Sequence, residues 1–238
     1  MDDAAFVFNT TALERVGLQR GSAVHALCAR ADWCAFNADW RATLTQPELE
    51  TLGVLRALRH LRDIRGEMAV TCRRDGAPRR YALILTVDTV TSVHAALLQD
   101  VHAARPGVLR GALENVRPLG REHVNPYARG EDVEARLTAC VDDYNECVHA
   151  ASDEQAADTA TVARWAARLL SQFLAVHPFH DGNGRTAHVL VAHVFALALR
   201  DARRTACIPH WEREAYLAAC AGPAAEREPR LAALIVAR

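Results

Sequence analysis

The segment from residue 161 to 200 constrains the fold more than any other part of the chain. From Thr161 to Val176, the residues Val162, Trp165, Ala166, Leu169, Leu170, Phe173 and Leu174 recur at the i, i+3/i+4, i+7 spacing of an amphipathic helix. After a break containing two glycines, Arg185 to Arg200 is apolar nearly all round. A helix with no polar face belongs at the centre of a protein, enclosed by other elements.

Helical patterning continues on either side. Residues 46–65 place Leu49, Leu52, Leu55, Leu58, Leu61 and Ile64 at three-residue spacing, with Pro47 suited to a first turn. Met68 to Cys72 and Tyr81 to Val87 are β-prone runs around Asp75-Gly76 and predict a hairpin. Helix is expected again over about 88–104, closed by Pro106-Gly107. Residues 117–130, with Pro118, Gly120, Pro126 and Gly130, read as an exposed loop. Further helices are expected from Glu131 to about Ala150, over Glu212 to Cys220, and after Pro229. Residues 1–87 are expected to form a helical and hairpin region packed on a core spanning 88–238, not an independent domain.

Composition excludes several classes of function. A formal net charge of -1 gives no global field toward nucleic acid or an acidic membrane, so neither is an expected partner. All 28 basic side chains are arginine, which together with abundant alanine fits a GC-rich coding sequence. The seven cysteines are odd in number and form no C-x-x-C pair, so reduced, buried thiols are expected. The acidic start Met1-Asp2-Asp3 is not a signal peptide, and the most apolar stretch, Val189 to Leu199, is too short to span a bilayer. A cytoplasmic protein is the expectation, with export as an effector left open. An apolar helix face serves a core and a homodimer equally well.

The loop joining the two best helices is His177-Pro178-Phe179-His180-Asp181-Gly182-Asn183-Gly184-Arg185. Glycines at the start of a helix let backbone N–H groups and the positive helix end face an anion, and phosphate is the natural guest. His177 is a proton acceptor near neutral pH. Asp181 suits Mg²⁺, and Arg185 offers a planar fork to phosphate oxygens. A base, a metal ligand and an anion nest in nine residues are the parts of phosphoryl or nucleotidyl transfer. A second reading takes His177, His180, Asp181, His188 and His193 as a zinc cluster, although the H-E-x-x-H spacing is absent.

The nine residues resemble the Fic-family signature H-P-F-x-[DE]-G-N-G-R at every specified position. Gly107-Val108-Leu109-Arg110 is similar to the G-x-[YLF]-R segment before that family's flap. Asn125-Pro126-Tyr127 with Glu131-Asp132-Val133 looks like the flap and the helix after it, and Glu214 to Leu217 fits the last core helix. The resemblance implies an all-α Fic fold of six to eight helices with one or two short β-hairpins. It also implies a nucleotidyltransferase, adenylating by default, that takes ATP or another NTP with Mg²⁺ and acts on a Ser, Thr or Tyr hydroxyl of a protein substrate.

Residue by residue, it implies that His177 is the base and Asp181 the Mg²⁺ ligand. Gly182, Asn183 and Gly184 would cradle the diphosphate, with Asn183 orienting the α-phosphate. Arg185 would hold the distal phosphates, and Phe179 would anchor the loop. Val124, Asn125, Pro126 and Tyr127 would dock the target backbone. His210 and Trp211 fall where family members contact the base, while packing alone would explain that tryptophan equally well. Gly184, where phosphorylating relatives carry lysine, favours nucleotidyl transfer.

Two departures from the family pattern follow. His188 replaces the second arginine of G-R-x-x-R at a nucleotide-binding position, and histidine is shorter and mostly neutral at pH 7. The inhibitory motif [ST]-x-x-x-E-[GN] has its nearest counterpart at Thr71 to Gly76, with Asp75 for glutamate. Comparing Thr43 to Leu49 with N-terminally inhibited members instead puts Trp40 at the glutamate position. The expectation is an enzyme without glutamate autoinhibition, with two alternatives: a Fic transferase using UTP or a CDP-alcohol, or a slow nucleotide-binding regulatory module.

Overall fold

The computed structural model describes residues 2–34, 38–74, 84–101, 105–111, 127–150, 158–198 and 206–237. The fold is all-α. Ten helices are described: α1 (Asp3–Glu14), α2 (Gly21–Cys34), α3 (Ala38–Arg41), α4 (Gln46–Arg74), α5 (Val87–Leu98), α6 (Val133–Ala150), α7 (Thr159–Val176), α8 (Asn183–Ala198), α9 (Arg213–Ala221) and α10 (Ala224–Leu234). The strands described are β1 (Ala206–Cys207) and β2 (Val236–Ala237), antiparallel, with Ala206 opposite Ala237 and Cys207 opposite Val236.

The apolar pattern positions α7 and α8 as expected. In α8, Val189, Leu190, Val191, Ala192, Val194 and Phe195 are all buried, and the helix packs against α7, α4, α5 and α1. The α7 stripe from Val162 to Phe173 is buried too. Asp158 starts α7 by accepting from the Thr161 amide at 2.9 Å, which satisfies one of the orphan donors of a first turn. One apolar core runs continuously from Ala4 on α1 to Ile235 beyond α10.

Three sequence expectations are corrected. Met68 to Cys72 is not a strand, because α4 continues through it to Arg74. The remainder of the expected hairpin, residues 75–83, lies outside the described residues, and Val87 begins α5. Helix α5 ends at Leu98, not near residue 104. Pro229 does not precede the last helix but lies inside α10, which starts after Pro223.

Between α5 and α7, two pairings position the site. Asn145 on α6 accepts from the Leu85 amide and donates to the Leu85 carbonyl, each at 2.9 Å, which fixes the entry to α5. Thr86 caps α5 by accepting from the Thr89 amide at 3.0 Å. Gly53 on α4 lies so close to α5 that a Cβ there would stand 2.1 Å from the Leu97 carbonyl oxygen.

Candidate active site

Helix α7 ends at His177 in the left-handed conformation (φ 50°, ψ 62°), and its amide donates to the Phe173 carbonyl at 2.9 Å. A non-glycine residue held there is sustained by its surroundings. Its imidazole lies flat on Tyr127, with ring centroids 3.8 Å apart and planes 12° from parallel. Burial raises the Tyr127 phenol above its ordinary range, so that group is a neutral O–H.

The loop from Phe179 to Gly182 is held from beneath by α5. Phe179 is fully buried and stacks on His94 at 3.6 Å, 2° from parallel. The Gly107 amide donates to Nδ1 of His94 at 2.9 Å, so the proton resides on Nε2, which donates to the Asp181 carbonyl at 2.9 Å. Burial pushes the His94 imidazole down to about 4, keeping this tautomer neutral. Gly182 takes φ +74°, and a Cβ there would meet Leu97, Leu98 and His94 at 3.2–3.4 Å, so glycine is required on two counts.

Asn183 closes the loop on itself. Its carboxamide accepts from the Phe179 amide at 2.9 Å and donates to the Phe179 carbonyl at 2.8 Å. Its first duty is therefore to shape the loop, and it reaches a phosphate only with its remaining N–H.

Arg185 is buried and donates through Nη2 to Asp181 Oδ2 at 3.0 Å, while its Nη1 is buried with no hydrogen-bond partner. An unpaired buried guanidinium nitrogen is costly unless an anion arrives. The Asp181 side chain is 63% exposed and also accepts from the Gly182 amide at 2.6 Å. One exposed carboxylate at a phosphate nest is the donor set with which Mg²⁺ is held, since that ion keeps waters and takes phosphate oxygens. The residues present fit it. Among the described residues, no three of His, Cys, Asp and Glu gather to hold a metal ion, so the zinc reading has no ligand set there.

The space over Gly184 is taken by a residue that sequence reasoning missed. A Cβ on Gly184 would stand 2.2 Å from Oε1 of Glu14 and 2.5 Å from its Oε2. The carboxylate at the end of α1 thus sits over the first turn of α8, where the unpaired amides and positive helix end favour an anion. Glu14 Oε1 lies 3.6 Å from Nε2 of His188, whose side chain is 2% exposed, and the His188 ring approaches Tyr216 at 5.3 Å. Burial first, and the Glu14 charge second, raise the Tyr216 phenol well above its ordinary value. Burial pushes the Cys220 thiol up to about 12. The carboxylate thus has neutral O–H and S–H groups nearby.

An enzyme without glutamate autoinhibition is the sequence expectation, yet the structure brings a glutamate, Glu14, to this site. Thr10-Thr11-Ala12-Leu13-Glu14 matches the [ST]-x-x-x-E part of the inhibitory motif, with Arg15 where glycine or asparagine is specified. Arg15 adopts the left-handed helix-ending conformation (φ 55°), donating its amide to Ala12. That backbone geometry explains the glycine or asparagine preference, and the helix-end signature was the available signal. Trp40 lies elsewhere, on α3, with the Arg30 guanidinium over its ring at 5.5 Å.

The remaining predicted residues divide clearly. Val124, Asn125 and Pro126 lie outside the described residues, whereas Tyr127 reaches His177. His210 donates its amide to Asn9 on α1 at 3.2 Å and packs edge-on to Phe8 at 4.9 Å, so it braces the helix that carries Glu14. Trp211 is 59% exposed. Arg213 Nε donates to the Leu13 carbonyl at 2.8 Å, fastening the same helix end.

Comparison with known proteins agrees with this geometry. Residues 84–195 match the family model described as the Fic/DOC family. Two solved structures share the fold with a TM-score of 0.63. Fic-1 (residues 134–508) from C. elegans is 18% identical, and 97% of this chain covers 59% of it. A Fic-domain-containing signaling protein from Bacteroides thetaiotaomicron VPI-5482 is 19% identical, with 98% of this chain covering 82% of it. A curated relative, the ribonucleoside-diphosphate reductase small chain of Ostreid herpesvirus 1, is 30% identical over 106 residues, 44% of this chain but 18% of that protein. The chain therefore spans under a fifth of that relative and about three fifths of the C. elegans chain. The match places residues 84–195 of this chain with the Fic/DOC family.

Proposed function

We propose that this chain transfers a nucleoside monophosphate, AMP by default, from an NTP to a protein hydroxyl, and that Glu14 restrains the reaction. The observation that carries it is the carboxylate in the anion nest: Glu14 lies over Gly184 beside a loop whose Arg185 Nη1 has no partner. A site that holds an internal anion at a helix start is built for phosphate oxygens.

His177 takes the proton of the target hydroxyl as its oxygen bonds to the α-phosphorus, the α–β bridging P–O bond breaks, and pyrophosphate leaves. Arg185 and the α8 amides stabilise charge gathering on the phosphate oxygens. Tyr127 fixes the face of the imidazole, and His94 fixes the Asp181 backbone. Mg²⁺ held by Asp181 would supply charge neutralisation to the phosphates. A carboxylate in the same space repels those oxygens, so the donor binds productively only once Glu14 has moved.

One observation favours a second donor class. His188 is buried between Glu14 and Tyr216, so the position of the second signature arginine presents no guanidinium to a γ-phosphate. A donor ending at the β-phosphate, such as a CDP-alcohol, loses nothing by that.

Intact mass after incubation with Mg²⁺ and each donor tests the reading. The natural chain is expected to react slowly and Glu14→Ala at least tenfold faster, gaining one nucleotide residue. Glu14→Ala combined with His177→Ala gains none. Mass equal to a phospho-alcohol selects the second class. No adduct from any donor in Glu14→Ala sinks transfer and leaves a nucleotide-binding module.

A further inference from the structure

Arg110 is 3% exposed, although arginine is among the residues least often buried. Among the described residues it donates to main-chain carbonyls at the catalytic centre. Nε donates to His177 O at 2.6 Å, and Nη2 donates to Val176 O at 3.0 Å and to Ala128 O. The Arg110 amide adds a bond to Pro178 O at 2.9 Å. Carbonyls at a helix C-terminus carry partial negative charge, which a buried guanidinium complements.

The placement of these acceptors gives the arrangement its meaning. His177 and Pro178 open the catalytic loop, and Ala128 follows Tyr127, the residue stacked on the His177 ring. The Ala128 amide in turn donates to Ala175 O at 3.2 Å. One side chain thus grips the backbone of the base and the backbone beside its stacking partner. Tyr127 is itself the last of the four residues, Val124 to Tyr127, to which the family resemblance gives target docking.

We infer that Arg110 is a positioning residue that registers the His177 base against the target-docking segment by clamping the carbonyls of Val176, His177 and Ala128. This rests on the transfer reading above. A planar fork is needed because the acceptors lie on two separate stretches of chain. Lysine, a point donor on a flexible stem, cannot serve them together. The left-handed backbone of His177 loses a restraint when the fork is removed, and the imidazole leaves its stack on Tyr127.

The test uses the full-length chain with Arg110→Lys and Arg110→Gln, each confirmed folded by circular dichroism and thermal melting. The first readout needs no activity. The imidazole Cε1–H signal of His177, identified by its loss in His177→Gln, is displaced by the facing Tyr127 ring. Arg110→Lys is expected to move it toward its free-imidazole position, as Tyr127→Leu does, while the His94 signal stays in place. An unmoved His177 signal in a folded Arg110→Lys overturns the inference.

The second readout uses the Glu14→Ala background with ATP and Mg²⁺. Transfer is expected to fall at least tenfold on adding Arg110→Lys, with ATP affinity unchanged within twofold. A parallel fall in ATP affinity, or unchanged transfer, overturns it. Should Glu14→Ala itself transfer nothing, the transfer reading fails while the His177 signal still decides the role of Arg110.

Discussion

At the scale of single residues, two positions show how local geometry and function compete. Arg15 holds φ 55° at the end of α1, a conformation that disfavours a Cβ by roughly 1–2 kcal/mol. Arg15→Gly relieves that strain but adds freedom to the unfolded chain, so a gain of up to about 1 kcal/mol is expected in urea unfolding. It should also slow transfer, because α1 then ends with Glu14 more firmly set. A destabilised Arg15→Gly with faster transfer would contradict both expectations. The motif around Glu14 was legible as Thr10-x-x-x-Glu14, yet Arg15 at its last position hid it. His94 was less legible still. No motif marks it, and its role follows only from the tertiary approach of the Gly107 amide and the Asp181 carbonyl.

At the scale of elements, α5 acts as the floor of the catalytic loop, and His94 makes that floor sensitive to acid. Its folded value of about 4 lies below the ordinary 6.5. The unfolded chain therefore binds a proton more readily, and the contribution of His94 is complete above about pH 6.5. It fades as pH falls toward 4, by at most about 3 kcal/mol. Urea midpoints of the natural chain should fall over that window, and His94→Gln should lose the part of the slope that His94 supplies. Equal slopes in the two proteins would remove His94 as the cause. The helices α7 and α8 were legible because their periodicity is long and strong. Met68 to Cys72 misled because β-propensity is a weak local preference, and here the long leucine-striped α4 carries through it. The loop nest was readable by residue type. What fills it was not, since Glu14 arrives from 170 positions earlier in the chain than Gly184.

At the scale of the whole molecule, the first helices and the Fic/DOC domain share one core. One close junction between them is Gly53, whose absent Cβ lets α4 lie against the Leu97 carbonyl. Gly53→Ala drives a methyl into backbone, not into a flexible side-chain end, so the two helices must separate. A loss on the order of 1–3 kcal/mol is expected, read as a lower urea midpoint with unchanged m-value. Because Leu97, Leu98 and His94 on α5 sit under Gly182, transfer should weaken in the same variant. Normal stability in Gly53→Ala would show that α4 and α5 are free to part. Among the described residues, no helix is long and apolar enough to cross a membrane.

Under the proposed transfer reaction, the carboxylate over Gly184 would make α1 a tethered competitor of the nucleotide donor. Its effective concentration is set by how firmly α1 is docked, through the paired bonds of Arg62 with Asp3 and those of Arg213 with Leu13 and His210 with Asn9. Competition of this kind is reciprocal. Whatever tightens α1 weakens the donor, and a saturating donor must loosen α1 by the same free energy. Hydrogen exchange in residues 3–14 thus becomes a gauge of occupancy at a site formed by residues 177–185.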